Sequence, residues 1–239
     1  MNESRLKIAV CFFGKASGHQ TMYSSKSVNK KVCFMYGINS IKQYVFQHHD
    51  IDVYCHTWSE SQDVRTKLNI LLAPKKIITE KQRVFYKDVR PQAFMSQFYS
   101  RSQSIELALA QNKSYDLIVA IRYDLFFFKP VNYNKVKQGI LYSDGDVYTR
   151  DWHFVGDSNV MNKVSNMLEY AKCQIELGIK LPCQSVIYFP YYDILKLERR
   201  ELMRYSPEAS VYFDTDFCLV RTLKEEKIKS LERKLDSLV

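Results

Sequence analysis

The chain contains 239 residues with a formal net charge of +9, and 46% of its residues are apolar and 14% aromatic. That apolar content is enough for one sizeable core, and the length favours a single α/β domain over two small ones. A basic chain attracts nucleic acids, anionic membrane faces or phosphorylated small molecules. The basic residues are dispersed, however, and no zinc-finger or RNA-binding aromatic motif accompanies them, so we expect no nucleic-acid partner.

The cysteines and the first apolar run indicate the compartment. The six cysteines form no C-x-x-C pair and no zinc-type spacing, and Cys11, Cys55 and Cys218 lie in apolar runs typical of buried, reduced thiols. The first apolar run, residues 8–13, is too short to span a membrane. We therefore expect a cytoplasmic protein without a membrane anchor.

Short apolar runs and helix-like spacings alternate from the start of the chain. Strands are predicted at residues 7–13, 51–56 and 75–79, and helices at residues 32–47 and 64–72. A β-α-β start of this kind predicts a parallel sheet.

The middle of the chain combines an amphipathic helix with a very apolar strand. Over residues 96–112 the helical spacing places Phe98 and Ile105 on one face, with Arg101 on the polar side. The run that follows, residues 117–121, is almost continuously apolar. Such a run predicts a central strand that is buried on both faces.

The second half of the chain is predicted to contain further strands, at residues 139–142, 147–149, 186–190 and 211–220. A helix begins at Asp157 or Ser158, either of which is a good N-cap, and ends at Gly178. The last segment, residues 222–239, has apolar residues at a three-four spacing among charged ones. That spacing predicts a C-terminal amphipathic helix.

Ligands of open α/β sheets bind beyond the carboxyl ends of the strands, so polar residues at those ends are the first candidates for a site. Gly14 would let the backbone approach a ligand, and Lys15 would supply a cation suited to a nucleotide; alternatively, Gly14 only turns the chain. No dinucleotide-binding or P-loop glycine pattern is present. Three predicted strand ends carry such residues: Phe13-Gly14-Lys15, His56-Thr57-Trp58 and Arg122-Tyr123-Asp124.

Arg122 and Asp124 directly follow the most apolar strand, where charges are costly unless each is paired or bound to an ion. Asp124 is a candidate ligand for Mg²⁺ or Mn²⁺, which would neutralise a diphosphate leaving group. The alternative is a structural ion pair between Arg122 and Asp124. Spacing alone slightly favours the ion pair.

Other carboxylates compete for a role in a site. Asp214 and Asp216 form a D-x-D pattern whose carboxylates would share one face of a strand, but the surrounding alternation favours a half-exposed strand. Asp151, ahead of a capped helix, is a candidate general base. Its neighbour Trp152 is a candidate either for stacking on a sugar or for the core.

Taken in order, these segments resemble the small bacterial and viral glycosyltransferases that build surface polysaccharide and lipopolysaccharide chains. The segments span most of the first 160 residues, and their order is more specific than any one of them. The resemblance is carried by IAVCFFG (8–14), DVYCHTW (52–58), QFYS (97–100), YD (115–116), RYD (122–124) and DWHFVG (151–156).

The resemblance implies a single α/β domain of the GT-A type, with a Rossmann-like, mixed but mostly parallel sheet flanked by helices. A nucleotide-sugar-binding half (1–130) and an acceptor-binding half (131–221) would precede the C-terminal helix (222–239). The implied reaction moves a sugar from a nucleotide diphosphate donor to a hydroxyl of a glycan or glycolipid.

The resemblance also assigns roles to residues. Asp124 would be the last carboxylate of a metal-binding D-x-D motif that holds Mg²⁺ or Mn²⁺, although Arg122 stands where the first carboxylate usually stands. Asp151 would be the acceptor-side base of an inverting enzyme. The implied substrate contacts are Phe13, Gly14, Lys15, His56, Trp58, Ser100, Arg122 and Trp152.

The alternative to an enzyme is a non-catalytic binding or assembly subunit of the same fold. In that case residues 222–239 would dock on a partner, and the same helix would suit a homodimer. For a glycolipid acceptor we expect peripheral contact with the inner face of a membrane.

Overall fold

The structure is a computed structural model that describes residues 5–20, 30–47, 49–143, 152–179, 185–202 and 217–219. Some of the predictions lie outside the described residues: the 147–149 strand, most of the 211–220 strand, the 222–239 helix, Asp151, Asp214 and Asp216.

The first half of the chain alternates strands and helices. The strands are β1 (Lys7–Phe13), β2 (Ser17–Gln20), β3 (Lys30–Cys33), β4 (Asp50–Trp58), β5 (Lys76–Glu80) and β6 (Leu117–Arg122). The helices are α1 (Met35–Ile41), which continues as a π-helical turn over Lys42–Phe46, α2 (Gln62–Leu72) and α3 (Val89–Leu109). The predicted helix at 32–47 was wrong at its start, because residues 30–33 pair with β2 as a hairpin.

The second half contains shorter elements. They are β7 (Leu125–Phe127), β8 (Leu141–Ser143), β9 (His153–Gly156), α4 (Ser158–Ser165), α5 (Met167–Glu176), α6 (Ser185–Ile194), β10 (Arg199–Glu201) and β11 (Phe217–Leu219). The predicted cap is confirmed, since the Asp157 side chain accepts a hydrogen bond from the Val160 N–H at 2.9 Å. Asn166 divides the predicted helix into α4 and α5.

Within the described residues, seven strands form one sheet in the order β10-β8-β9-β6-β1-β4-β5. β1 lies between β4 and β6 and is parallel to both, and β5 is parallel to β4. β9 is antiparallel to β6 and β8, while β10 is parallel to β8, so β9 alone runs against the other strands. The α/β class and the mixed, mostly parallel sheet are confirmed.

β1 is apolar from Ile8 to Phe13 because both faces of the sheet are covered. One core is shared with α1 and α2, and the other with α3, α4 and α5. Burial of a large apolar side chain contributes about 1.5–3 kcal/mol. A strand that alternated apolar and polar residues would lose this contribution on one face of the sheet. Ile8, Val10 and Phe12 enter the first core, and Ala9, Cys11 and Phe13 enter the second.

Two further predictions from the sequence were wrong. Residues 186–190 lie in α6 and not in a strand, because a short apolar run does not distinguish a strand from a buried helix. Arg101 is only 1% exposed, with its guanidinium 4.6 Å from the ring centroid of Phe154. Its Nη2 lies 3.3 Å from the sulfur of Met167 in α5, so the face of α3 that carries Arg101 is covered as well.

The described part of the chain contains no helix with the length and apolar character needed to cross a membrane.

Candidate functional site

The candidate site lies where the path of the chain through the sheet reverses. From β1 the chain winds outward through β4 to β5, with α1 and α2 on one face. It then returns through α3 on the opposite face to β6, on the other side of β1. Such a switch point opens a crevice beyond the carboxyl ends of the two central strands. Phe13 and Arg122 are register partners there, so the ends of β1 and β6 are neighbours.

The loop after β1 is held by hydrogen bonds on both sides of Lys15. The Gly14 N–H donates to Ser100 Oγ at 2.7 Å, and the Ala16 N–H donates to Thr57 Oγ1 at 3.0 Å. The Gly14 carbonyl accepts from the Trp58 N–H at 3.2 Å. Gly14 has a φ of +96°, which a residue with a Cβ rarely adopts. The loop therefore has a fixed conformation that requires glycine.

Behind the loop, Ser100 begins a series of hydrogen bonds that runs from buried side chains to the surface. Ser100 Oγ lies 2.7 Å from Nδ1 of His56, and Nε2 of His56 lies 2.9 Å from Oε1 of Glu80. Glu80 Oε2 in turn accepts from Nη2 of Arg83 at 3.0 Å. Ser100 and His56 are fully buried, whereas the Glu80 side chain is 24% exposed. This series of hydrogen bonds thus connects the surface to the backbone of Gly14.

The direction of these hydrogen bonds follows from the charge states. Burial lowers the pKa of His56, although the neighbouring Glu80 acts in the opposite sense. Burial also opposes ionisation of Glu80, but hydrogen bonds from His56 and Arg83 outweigh it and lower the pKa of that carboxyl. A neutral His56 therefore donates its Nε2–H to the Glu80 carboxylate. Its Nδ1 then accepts from the Ser100 hydroxyl.

An aromatic cluster packs around His56. The Trp58 ring stacks on Tyr99 with centroids 5.3 Å apart, and the Trp58 Nε1–H donates to the Ser96 carbonyl at 3.1 Å. The guanidinium of Arg83 lies 4.4 Å from the centroid of the Tyr99 ring. Trp58 and Tyr99 are buried. The cluster excludes water from the His56 ring and fixes its orientation.

At the end of β6, Arg122 and Asp124 form a bidentate ion pair. Nε of Arg122 donates to Oδ1 of Asp124 and Nη2 donates to Oδ2, both at 2.8 Å. Only 11% of the Arg122 side chain and 2% of the Asp124 side chain are exposed. Both oxygens of Asp124 are thus engaged by the guanidinium. The structural ion pair that the sequence offered as the alternative to a metal ligand is therefore present.

This geometry bears on the predicted metal. A divalent cation on Asp124 would share at least one of the two oxygens that accept from Arg122, since each carboxylate oxygen has a second lone pair. Among the described residues, no group of three or more His, Cys, Asp or Glu side chains is arranged to hold a metal ion. The described residues alone therefore do not complete a site for Mg²⁺ or Mn²⁺ at Asp124.

The residues beside the ion pair anchor it to the first core and to β9. Tyr123 points back into the sheet, where its ring stacks on Phe12 with centroids 5.3 Å apart. The Arg122 N–H donates to the Trp152 carbonyl at 3.0 Å, which continues the pairing of β6 with β9. The Trp152 side chain is half-buried and packs against the first core. The β6 end is therefore rigid on either side of Arg122.

The structure separates the predicted substrate contacts into two sets. The side chains of Phe13, His56, Trp58 and Ser100 are buried. Gly14, Lys15, Arg122 and Trp152 are partly exposed, and Asp151 lies outside the described residues. Substrate contact by any of these residues stays a prediction. The two sets nevertheless converge on the loop after β1 and the end of β6.

Two residues of this arrangement were missed by sequence reasoning. Glu80 directly follows the predicted 75–79 strand, so its place at the carboxyl end of a parallel strand was an available signal. Thr57 was only quoted within its motif. Its hydroxyl contact with Ala16 depends on the register of β1 and β4, which the sequence does not state.

No protein-family model matches the chain, and no curated protein matches it either. The case for a function therefore comes from the geometry of the strand ends and from the ordered motifs.

Proposed function

We propose that this protein is a glycosyltransferase that moves a sugar from a nucleotide diphosphate donor to a hydroxyl of a glycan or glycolipid, in the synthesis of a surface polysaccharide. The observation that carries the proposal is the pair of polar strand ends at the β1/β6 switch point. There the Gly14–Lys15 turn and the Arg122–Asp124 ion pair flank the crevice in which α/β sheets bind nucleotides. The ordered resemblance of the motifs supports the same class of reaction.

The chemistry that these residues offer is stabilisation of a departing diphosphate. Arg122 is held in one orientation by Asp124, and a fixed guanidinium stabilises developing negative charge without reorganisation. Lys15, on the loop across the crevice, would add a second cation. The nucleotide would lie against the loop after β1, and the acceptor against the 131–221 half of the chain.

Proton transfer from the acceptor is assigned to Asp151 if the enzyme inverts configuration. A retaining enzyme needs no base of that kind. Asp151 lies outside the described residues, so the assignment comes from its position ahead of a capped helix and from the resemblance.

A divalent metal, Mg²⁺ or Mn²⁺, belongs to the proposal only if Asp124 holds the cation together with further ligands, either beside Arg122 or in its place. Donor binding measured with and without Mn²⁺ distinguishes the two forms of the proposal: a requirement for Mn²⁺ would favour the metal-dependent form.

Calorimetry with a panel of UDP-, GDP-, CMP- and dTDP-sugars, each with and without Mn²⁺, tests the proposed function. We expect one nucleotide class to bind and to be turned over when the acceptor is supplied. If no member of the panel binds under either condition, the proposed function is wrong.

Asp124→Asn is the narrower test, with Asp52→Asn as its matched control. Asp52 also accepts charged hydrogen bonds, from Lys113 Nζ at 2.8 Å and from the Tyr115 hydroxyl at 2.8 Å, but it lies near the amino end of β4. We expect Asp124→Asn to abolish turnover and Asp52→Asn to retain it. Wild-type turnover by folded Asp124→Asn would remove Asp124 from the site.

The partners and location belong to the same proposal. We place the enzyme in the cytoplasm at the inner face of a membrane, with a nucleotide sugar and a glycan or glycolipid as its partners and with no nucleic acid. A homodimer through residues 222–239 is part of the proposal and is tested by the molar mass of a chain truncated after residue 221. Nucleotide binding without turnover of any acceptor would favour the non-catalytic subunit instead.

A further inference from the structure

We infer that Glu80, His56 and Ser100 act as a positioning relay that fixes the Gly14–Ala16 loop for the diphosphate of the donor. The inference rests on the proposed function for the identity of the ligand. The relay itself is defined by three distances: 2.9 Å from Glu80 to His56, 2.7 Å from His56 to Ser100, and 2.7 Å from Ser100 to the Gly14 nitrogen.

Ser100 and His56 each have one partner on either side, and Glu80 links His56 to Arg83. The Ser100 hydroxyl donates to His56 and accepts from Gly14, so its position is determined in both directions. Hydrogen bonds arranged in such a chain polarise one another, and in a water-free site they are individually stronger than in water. The relay therefore restrains the Gly14 backbone more than a single serine contact would.

The relay acts at the point where the loop conformation is most sensitive. Gly14 has a positive φ of 96°, and the next anchored amide is that of Ala16, held by Thr57. Lys15 lies between the two anchors, so the direction of its backbone and side chain depends on both. Loss of the Ser100 anchor would allow the Gly14 peptide to rotate. Misplacement of a binding group by about 1 Å costs up to a hundredfold in rate.

Serine, histidine and a carboxylate in this order also form the nucleophilic triad of many hydrolases. Here the serine is fully buried beneath the loop, and its oxygen accepts the N–H of Gly14. The hydroxyl is therefore aimed at the backbone of its own chain. A positioning role fits this burial, whereas a nucleophile must be exposed to its substrate.

Ser100→Ala is the direct test, because it removes the acceptor for Gly14 and the donor for His56 together. We expect its Kd for the nucleotide sugar that the wild type binds to rise about tenfold, as when one buried hydrogen-bonded group loses its partner. Ser100→Thr keeps the hydroxyl and should restore the Kd to within about threefold. A wild-type Kd for Ser100→Ala would overturn the inference.

Ser104→Ala is the matched control. Ser104 is equally buried on the same helix, but its hydroxyl donates only to the Arg101 carbonyl one turn earlier, at 2.9 Å. If Ser100 were only structural, Ser100→Ala would raise the Kd no more than Ser104→Ala does. We expect Ser104→Ala to bind the nucleotide sugar as the wild type does. Glu80→Ala provides a second break in the relay and should raise the Kd in the same direction as Ser100→Ala.

A readout that needs no ligand separates failure of the relay from failure of the proposed function. The chain has seven glycines, so glycine-selective ¹⁵N labelling gives a simple amide spectrum in which Gly14→Ala identifies the Gly14 signal. A hydrogen bond of 2.7 Å shifts an amide proton downfield. We expect Ser100→Ala to move the Gly14 proton upfield and Ser104→Ala to leave it in place.

The outcomes are then distinct. If the wild type binds no nucleotide sugar, the proposed function and the ligand of the loop are both wrong, and the Gly14 signal still decides whether the relay holds the loop. If the wild type binds and the Gly14 signal does not respond to Ser100→Ala, the relay is wrong and the proposed function stands. Covalent labelling of Ser100 by a fluorophosphonate, detected by mass spectrometry, would replace the positioning role with a nucleophilic one.

Discussion

The ends of β5 and β6 both carry a carboxylate bound to an arginine, but the two carboxylates differ in what surrounds them. Glu80 is 24% exposed, shares its oxygens between His56 and Arg83, and reaches solvent. Asp124 is almost fully buried, and Arg122 engages both of its oxygens. The charge of the Glu80 carboxylate is therefore shared between two side chains and solvent, whereas the charge of Asp124 is buried against Arg122.

This difference in exposure determines how strongly the stability of each strand end depends on its charge. A buried charge that loses its partner pays the full cost of desolvation, while a partly exposed charge is relieved by water. We therefore expect removal of the charge at the β6 end to lower the free energy of unfolding strongly. At the β5 end we expect a strong loss only when the hydrogen bonds are removed.

Asp124→Asn should have the largest effect on stability. An amide offers one acceptor to a guanidinium that now uses two, and it leaves the buried Arg122 charge without its counterion. We expect a loss of about 3–5 kcal/mol in the free energy of unfolding, measured by urea denaturation. The double variant Arg122→Met/Asp124→Leu should recover most of that loss. If it is no more stable than Asp124→Asn, the unpaired charge of Arg122 does not explain the loss of stability.

His153, at the start of β9 beside the β6 end, should make this side of the sheet sensitive to acid. Burial lowers its pKa to about 4, whereas an unfolded histidine titrates at about 6.5. Between these values the unfolded chain binds more protons than the folded one, so stability falls as the pH drops through that window, by about 3 kcal/mol in all.

The variant His153→Phe removes that proton uptake. It should flatten the dependence of unfolding free energy on pH between about 6.5 and 4. The pKa of His56 is lowered as well, so some dependence should remain from the β4 side. An unchanged slope in His153→Phe would show that the loss of stability in acid arises elsewhere.

Gly14→Ala and Gly178→Ala form a matched pair with a smaller effect. Both glycines have positive φ, +96° and +80°, and an added Cβ would meet no heavy atom within 4 Å at either position. Backbone strain alone should therefore cost each variant about 1–2 kcal/mol, measured by thermal or urea unfolding. Only Gly14→Ala should weaken nucleotide binding; equal weakening in both variants would contradict a site at the loop after β1.

Glu80→Gln should have the smallest effect and completes the comparison with Asp124→Asn. The glutamine oxygen can still accept the Nε2–H of His56, and the lost charge was partly solvated. We expect less than about 1 kcal/mol in unfolding free energy, measured in the same urea series. A loss as large as that of Asp124→Asn would mean that the two ends do not differ in their dependence on charge.

Much of the fold was predictable because its cause is local. The apolar run of β1, the cap of α4, and the alternation of strands and helices all come from residues close together in sequence, and the structure confirms them. The exceptions have a common reason. Arg101 is buried by what packs against it, and neither that burial nor the helical conformation of residues 186–190 is visible in periodicity.

The sequence by itself determined the α/β class and the polar strand ends, because hydrophobic period and strand termination are properties of neighbouring residues. Tertiary structure alone decided what those ends do to one another. His56, Glu80 and Ser100 come from three separate elements, and only the order and register of the strands bring them to hydrogen-bonding distance of each other and of Gly14. Arg122 and Asp124 are two residues apart, yet only the burial of the β6 end decided that each would take the other as its partner.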